Sequence, residues 1–210
     1  MKNIIITGNS KGIGKAIETE WNKYNNKSIG ISRSNGIDIN NYKSVKKIIS
    51  DSFLTDNKPI ALINNAGIIK MGTILETSIE DFKNQFDVNV TGLFYSSKIY
   101  AEMCIKYGIK GRIINIASTA GLGSRAGRSV YSATKAAVIN YSLSIAEELR
   151  NYNIKVYCIC PAAVDTDMRK YINPDDNFDT MLKPCQIAKP ICDLIIYDNC
   201  FDNQIIKIQK

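Results

Sequence analysis

Thr7-Gly8-Asn9-Ser10-Lys11-Gly12-Ile13-Gly14 is the stretch whose reading decides the fold. The run before it, residues 2–7, is short, apolar and stops at the glycines, as a buried strand does. Beyond it Ile13, Ala16, Ile17, Trp21 and Tyr24 recur at helical spacing, so residues 12–25 read as a helix. Glycines between strand and helix permit a tight turn and let a pyrophosphate approach backbone N–H groups closely. The helix N-terminus adds favourable dipole charge. Taken alone, the stretch could equally be an ordinary tight turn. It is not a Walker loop, because Gly14-Lys15 is followed by Ala16, which has no hydroxyl for magnesium.

Outward from this turn the chain keeps alternating. Residues 27–32 read as a second strand and 37–39 as a very short third. A helix is expected over 42–53, with Val45, Ile48 and Ile49 on one face, and a strand over 59–63 that runs into Asn64-Asn65-Ala66-Gly67. Thr77-Ser78-Ile79-Glu80 has the form of a capping box and opens a long helix to about residue 107, closed by Gly108. A strand over 112–117 follows. The helix over 129–150 is expected to turn Ala133, Ala136, Ala137, Leu143, Ala146 and Leu149 inward. A strand over 155–160 stops at Pro161. Residues 165–183 are polar and irregular, with 168–183 a short lid on the substrate side. A helix over 187–196, started or kinked by Pro190, and a strand over 204–208 complete the chain. Such alternation implies βαβ units, a parallel sheet and right-handed crossovers, with ligands bound beyond the carboxyl ends of the strands. The expectation is one α/β Rossmann-type domain over residues 1–210, doubly wound.

Composition narrows the chemistry. The 210 residues include 45% hydrophobic and 22% charged side chains, which is ordinary globular usage and no disordered or coiled-coil chain. No apolar run approaches the roughly 20 residues of a membrane span. The opening residues do not form a signal peptide, so a cytoplasmic protein with reduced cysteines is expected. Histidine is absent, which removes a Ser–His–Asp triad and a His-ligated metal. Proton chemistry must use Tyr, Lys, Asp, Glu or Cys. The net charge of +7 comes without a basic block or a basic-aromatic stripe, so no nucleic-acid partner is expected, although a positive field suits phosphate-bearing ligands.

The motifs now form a pattern. The glycine turn has the form TGxxxGxG. Asn64-Asn65-Ala66-Gly67 closes the strand over 59–63, and Asn89-Val90-Thr91-Gly92 lies in the long helix. Ser118 precedes Tyr131-Ser132-Ala133-Thr134-Lys135, a YxxxK, and Pro161-Ala162-Ala163-Val164-Asp165-Thr166 follows. In order and spacing the set resembles the short-chain dehydrogenase/reductase family. The resemblance implies a mainly parallel seven-stranded sheet in the order 3-2-1-4-5-6-7 with helices on both faces.

Tyr131 and Lys135 stand at i and i+4, on one helix face. An unperturbed phenol near pKa 10 is a poor base at neutral pH, and a neighbouring ammonium lowers it. The resemblance implies Tyr131 as general acid in reduction and base in oxidation, and Lys135 as the group that lowers its pKa and holds the nicotinamide ribose. It further implies that Ser118 bonds the substrate oxygen and Asn89 holds a water. Gly8, Ser10, Lys11, Gly12, Ile13 and Gly14 would cradle the cofactor. Asn65, Ala66 and Gly67 would line its adenosine side, and Pro161, Val164 and Thr166 the carboxamide. As isolated residues, Tyr131 could be a surface aromatic and Ser118 a strand-end cap.

At the end of the second strand a carboxylate would favour NAD. This chain has Ser32-Arg33 instead, and a guanidinium can fork onto a 2′-phosphate, with Lys11 in reach of it. NADP(H) is therefore expected over NAD, with Asp38, followed by Ile39, accepting from the adenine amino group. The chain departs from the family's pattern in two places. Five residues between Arg33 and Ile39 leave out the usual helix, which opens the adenine side and should weaken cofactor binding. Ala162 stands where the family has glycine. The expected activity is interconversion of a ketone or aldehyde with an alcohol. Keto-sugars (nucleotide-linked ones especially), 3-oxoacyl carrier thioesters and small ketones are the candidates; Arg125, Arg128, Arg169 and Lys170 at the expected pocket mouth would suit a phosphate or an acidic carrier, and could equally be solvated loop charges. The alternative is a non-catalytic NADP-binding regulator or scaffold. A homodimer or homotetramer is expected from the family's pairing of the helices over 77–107 and 129–150.

Overall fold

A computed structural model describes residues 1–197 and 205–209. Six parallel strands form one sheet: β1 (Asn3–Thr7), β2 (Lys27–Ile31), β3 (Pro59–Asn64), β4 (Arg112–Ile116), β5 (Lys155–Pro161) and β6 (Ile205–Ile208), in the order β2-β1-β3-β4-β5-β6. The helices are α1 (Gly12–Asn22), α2 (Tyr42–Ser52), α3 (Ile79–Phe86), α4 (Gly92–Tyr107), α5 (Ser129–Leu149), α6 (Asp167–Ile172) and α7 (Pro184–Tyr197).

Strand periodicity sorts the core into two layers, because alternate side chains face opposite sides of a sheet. Ile4 and Ile6 of β1 join Ala61, Ile63, Ile114, Ile116 and Ile159 under α1 and α7, with Trp21 fully buried among them. Ile5, Leu62, Ile113 and Val156 face the other way, towards α2, α4 and α5. Each fully buried isoleucine contributes on the order of 1.5–3 kcal/mol, so the β1 triplet alone is a substantial anchor for the central strand. The chain leaves β1 for β2 on one side and returns to β3 on the other. The ends of β1 and β3 therefore flank the switch point where ligands bind.

The sheet departs from the seven strands expected. Residues 37–39 form no strand. A parallel crossover needs a dozen or more residues, and only ten separate β2 from α2. The segment instead makes a short 3₁₀ turn over Arg33–Asn35, closed by Gly36 in the left-handed region, and Ile39 tucks its side chain against Gly92. The long helix over 77–107 is also interrupted. Thr77 closes a turn by donating to the Thr73 carbonyl, and Ser78 is the cap, accepting from the Asp81 N–H at 3.0 Å. A π turn over Asp87–Thr91 then separates α3 from α4.

Two further expectations change. The segment over 165–183 contains α6, capped by Thr166, and a 3₁₀ turn over Phe178–Thr180. The last helix starts at Pro184, a favourable first position, and continues through Pro190. Cys104, Cys158, Cys160, Cys185 and Cys192 are free thiols; Cys200 and Gln204 lie outside the described residues. Among the described residues no helix is long and apolar enough to cross a membrane.

Candidate active site

The glycine turn is laced to the end of β3. Thr7 Oγ1 accepts from the N–H groups of Asn65 and Ala66, both at 3.0 Å, and Asn65 Nδ2 donates to the Gly8 carbonyl at 2.9 Å. Gly8 and Gly12 have φ of +68° and +56°, a region L side chains avoid, and a Cβ on Gly14 would collide with the Gly8 carbonyl oxygen and Asn65 Nδ2. No side chain caps the N-terminus of α1, so its first N–H groups face the turn without a side-chain acceptor. A cradle of this shape fits a pyrophosphate.

Arg33 is exposed at the end of β2 and lines the same pocket as Lys11, Asp38 and Ile39. Asp38 already accepts from the Asn40 N–H at 2.9 Å through one carboxylate oxygen. Asn65, Ala66 and Gly67 form the opposite wall.

The residues expected to be catalytic converge from the end of β4 and from α5. Ser118 caps the 3₁₀ turn Thr119–Leu122 by accepting from the Ala120 N–H at 3.1 Å, so its position as a strand-end cap is real. Tyr131 is half-buried one turn into α5. Lys135 is buried, and its Nζ donates to the Ile116 carbonyl at 2.9 Å. Burial is the main influence on it and brings its pKa down to about 8, while Cys158 and Cys160 act in the opposite direction.

Tyr131 differs from expectation. Burial pushes its phenol above the ordinary value, and the groups that pull it back are the Ser118 hydroxyl beside it and the Arg128 charge. Lys135 Nζ stands 5.8 Å from the centre of the Tyr131 ring and is bonded to Ile116. Of the influences that lower the phenol, the Ser118 hydroxyl comes first and the Arg128 charge second.

Asn89 sits in the π turn, a deviation common at functional sites. Its amide clamps Ile68 in both directions, accepting from the N–H at 2.8 Å and donating to the carbonyl at 2.9 Å, and also donates to Thr134 Oγ1 at 3.0 Å. Ala162 has no left-handed backbone, which explains why the missing glycine is tolerated there. Val164 and Thr166 line the pocket with Pro161, and α6 follows directly. The whole pocket has a volume of about 830 Å³ and is lined by the glycine turn, Ser118, Tyr131 and Lys135 together.

A family model described as short chain dehydrogenase matches residues 36–177. The chain belongs to this family. Among curated relatives of this short-chain dehydrogenase, a bifunctional ribulose 5-phosphate reductase/CDP-ribitol pyrophosphorylase of Haemophilus influenzae is 31% identical over 166 residues, 79% of this chain and 35% of that one. A 3-oxoacyl-[acyl-carrier-protein] reductase of Synechocystis is 33% identical over 135 residues, 64% of this chain and 54% of that one. The chain thus spans a third to a half of these two relatives. Among solved structures, ElxO with NADP bound has a TM-score of 0.88 at 25% identity, covering 99% of this chain and 96% of that one. A 4-hydroxyisoleucine dehydrogenase complexed with NADH has 0.86 at 28%, with the same coverage.

The short-chain dehydrogenase fold brings every expected cofactor and catalytic residue except Asn89 and buried Gly14 onto the pocket wall itself; Asn89 clamps Ile68, and Gly14 packs against the Gly8 carbonyl and Asn65. Lys170 lies off the pocket wall, paired with Asp165 at 3.5 Å, whereas Arg125, Arg128 and Arg169 line it. Missed by the sequence reading was the support beneath the site. Buried Asn64 donates to Ser97 and Asn115, each at 2.8 Å, and accepts from Ser96 at 2.6 Å; Asn115 donates in turn to Ser142 at 2.8 Å. The one signal for it was polar residues at positions where the helical and strand periodicities point inward.

Proposed function

We propose that the chain is an NADP(H)-dependent oxidoreductase that interconverts a ketone or aldehyde with its alcohol by hydride transfer. The observation that carries this reading is the meeting of Ser118, Tyr131 and Lys135 on the wall of the pocket that also contains the glycine turn. The nicotinamide cofactor, when bound, supplies or accepts the hydride. The residues of this chain do the rest. The turn Gly8–Gly14 and the first N–H groups of α1 hold the pyrophosphate, and Arg33 with Lys11 reads the 2′-phosphate. Ser118 donates to the carbonyl oxygen. Tyr131, held protonated by burial, gives its proton to that oxygen in reduction and takes it back in oxidation. Lys135 holds the ribose, and the phenolate left by donation regains its proton from solvent before the next turnover.

The substrate candidates remain a keto-sugar, a 3-oxoacyl carrier thioester and a small ketone. The names of the Haemophilus and Synechocystis relatives speak for the first two. We place a second copy of the chain on the outer face of α4 and α5, where Phe94, Ile105 and Leu143 are exposed, to give a dimer or tetramer.

Tyr131→Phe tests the reading. It removes one oxygen and little volume, so folding and NADPH affinity should hardly change. Carbonyl-dependent NADPH oxidation should fall by roughly 10²–10⁴-fold. Lys135→Ala should lose turnover together with cofactor affinity, and the double variant should be little worse than either single one. Turnover retained in Tyr131→Phe, followed spectrophotometrically over a carbonyl panel, would favour the NADP-binding scaffold instead.

A further inference from the structure

Three guanidinium groups, Arg125, Arg128 and Arg169, line one end of the pocket beside Ser118 and Tyr131. Their charges are close enough to repel: burial, then Arg169 and then Arg125, push the Arg128 value down. Asp176 pairs with Arg169. Among the described residues no carboxylate forms an ion pair with Arg125 or Arg128. The other nearby carboxylate on the wall, Asp167, sits in the first turn of α6, where the helix dipole favours it. Arg125 is exposed and Arg128 half-buried, with the Asp176 charge acting on Arg128 in the favourable direction, so this end of the pocket has more positive than negative charge and suits an anionic ligand group.

The position of Arg128 is built rather than incidental. The Gly72 N–H donates to the Gly127 carbonyl at 2.8 Å, and Gly72 and Arg128 form an isolated parallel bridge. Gly127 turns the chain at φ +73°, a conformation that favours glycine, immediately before Arg128. Arg128 precedes Tyr131 by three residues, so the pinned backbone places both side chains at the start of α5, and both line the pocket. Arg125, Gly127 and Arg128 sit in the segment between β4 and α5, whereas Arg33 follows β2 and the glycine turn follows β1.

We propose that Arg128 and Arg125 bind the phosphate of a phosphomonoester-bearing ketone or aldehyde and so hold its carbonyl against Ser118 and Tyr131. The inference rests on the reductase reading above and names its substrate class. Charge selects the phosphomonoester: it carries roughly −1.5 to −2 at pH 7 and matches two guanidinium groups, whereas a carboxylate matches one. Arg128 then has two duties. It anchors the substrate, and its charge on Tyr131 is largely neutralised once the phosphate arrives, which leaves the phenol protonated for donation.

The test uses matched pairs of three-, five- and six-carbon 2-ketoses, with and without a terminal phosphate, and 2-oxo acids as a carboxylate arm. With the intact chain, kcat/KM for NADPH oxidation should be at least about tenfold higher for a phosphorylated ketose than for its partner, and higher than for the 2-oxo acids. That ratio should fall at least about tenfold in Arg128→Gln, further with Arg125→Gln added, and recover in part in Arg128→Lys, which keeps the charge without the fork. A second measurement needs no turnover: inorganic phosphate is titrated by calorimetry in the presence of NADP⁺, and its binding should weaken at least about tenfold in the Arg125/Arg128 double variant. Turnover without a preference for phosphate, a preference for 2-oxo acids, or phosphate binding unchanged in the double variant would overturn the proposal and leave the reductase reading standing. No turnover of any carbonyl, with phosphate binding lost in the double variant, would sink the reductase reading and uphold the anion site.

Discussion

At the scale of single residues, the electrostatics of Lys135 and Arg33 can be checked separately from turnover. Lys135 is a base whose folded pKa, about 8, lies below its ordinary 10.5 because of burial. Between those values the folded chain binds fewer protons than the unfolded one, so this group makes stability rise with pH over that window. The cost of burying its charge is present in full below about 8 and fades towards 10.5. Lys135→Met keeps the length and removes the titration, so its unfolding free energy relative to the parent should be most favourable below pH 8 and decline above it. Urea melts at several pH values read this difference; a constant offset would show that Lys135 does not titrate in this range. Arg33 is exposed and shares the pocket end with Lys11. Arg33→Ala should weaken NADPH by about 1.5–3 kcal/mol, the worth of a charge-assisted hydrogen bond, and NADH much less. Fluorescence titration with both cofactors decides it, and equal weakening would remove Arg33 from 2′-phosphate recognition.

At the scale of elements, the site depends on polar contacts between strands and helices that are otherwise apolar. The chain Ser96–Asn64–Asn115–Ser142 ties α4, β3, β4 and α5 together, and all four residues are buried. Asn115→Ala removes a partner from both Asn64 and Ser142. Orphaned buried polar groups cost about 1–3 kcal/mol each, so the urea midpoint should drop accordingly, with an unchanged slope. Ser44→Ala, at the exposed start of α2, should lower it far less. The elements themselves were legible where one periodicity ran uninterrupted, as in β1, α1 and α2. The break between α3 and α4 was not, because a π turn adds one residue to a helix without changing its composition. Thr77 and Ser78 are both good caps, and only the Thr73–Thr77 turn decides between them.

At the scale of the whole molecule, α5 shows how far local pattern reaches. Ala133, Ala136 and Leu143 read as its inward face, yet all three are exposed, and Thr134, Lys135, Val138 and Ser142 are buried instead. The apolar face left outside joins Phe94 and Ile105 of α4. A second copy should cover it: light scattering is expected to give a dimer or larger mass, and Phe94→Asp with Leu143→Asp to give a folded monomer. A parent chain that stays monomeric at all concentrations would remove that interface. The strand order came with the family resemblance, since periodicity does not say which strands are neighbours. The glycine turn between strand and helix, and Tyr131 and Lys135 on one helix face, were legible in the sequence, because short-range periodicity and residues one helical turn apart reflect local backbone geometry. The loss of the third strand, the outward face of α5, the polar chain beneath the site and the direction of the Tyr131 shift were decided only in three dimensions. They depend on which distant segments meet, and burial sets both which face of a helix is covered and which form of a titratable group is favoured.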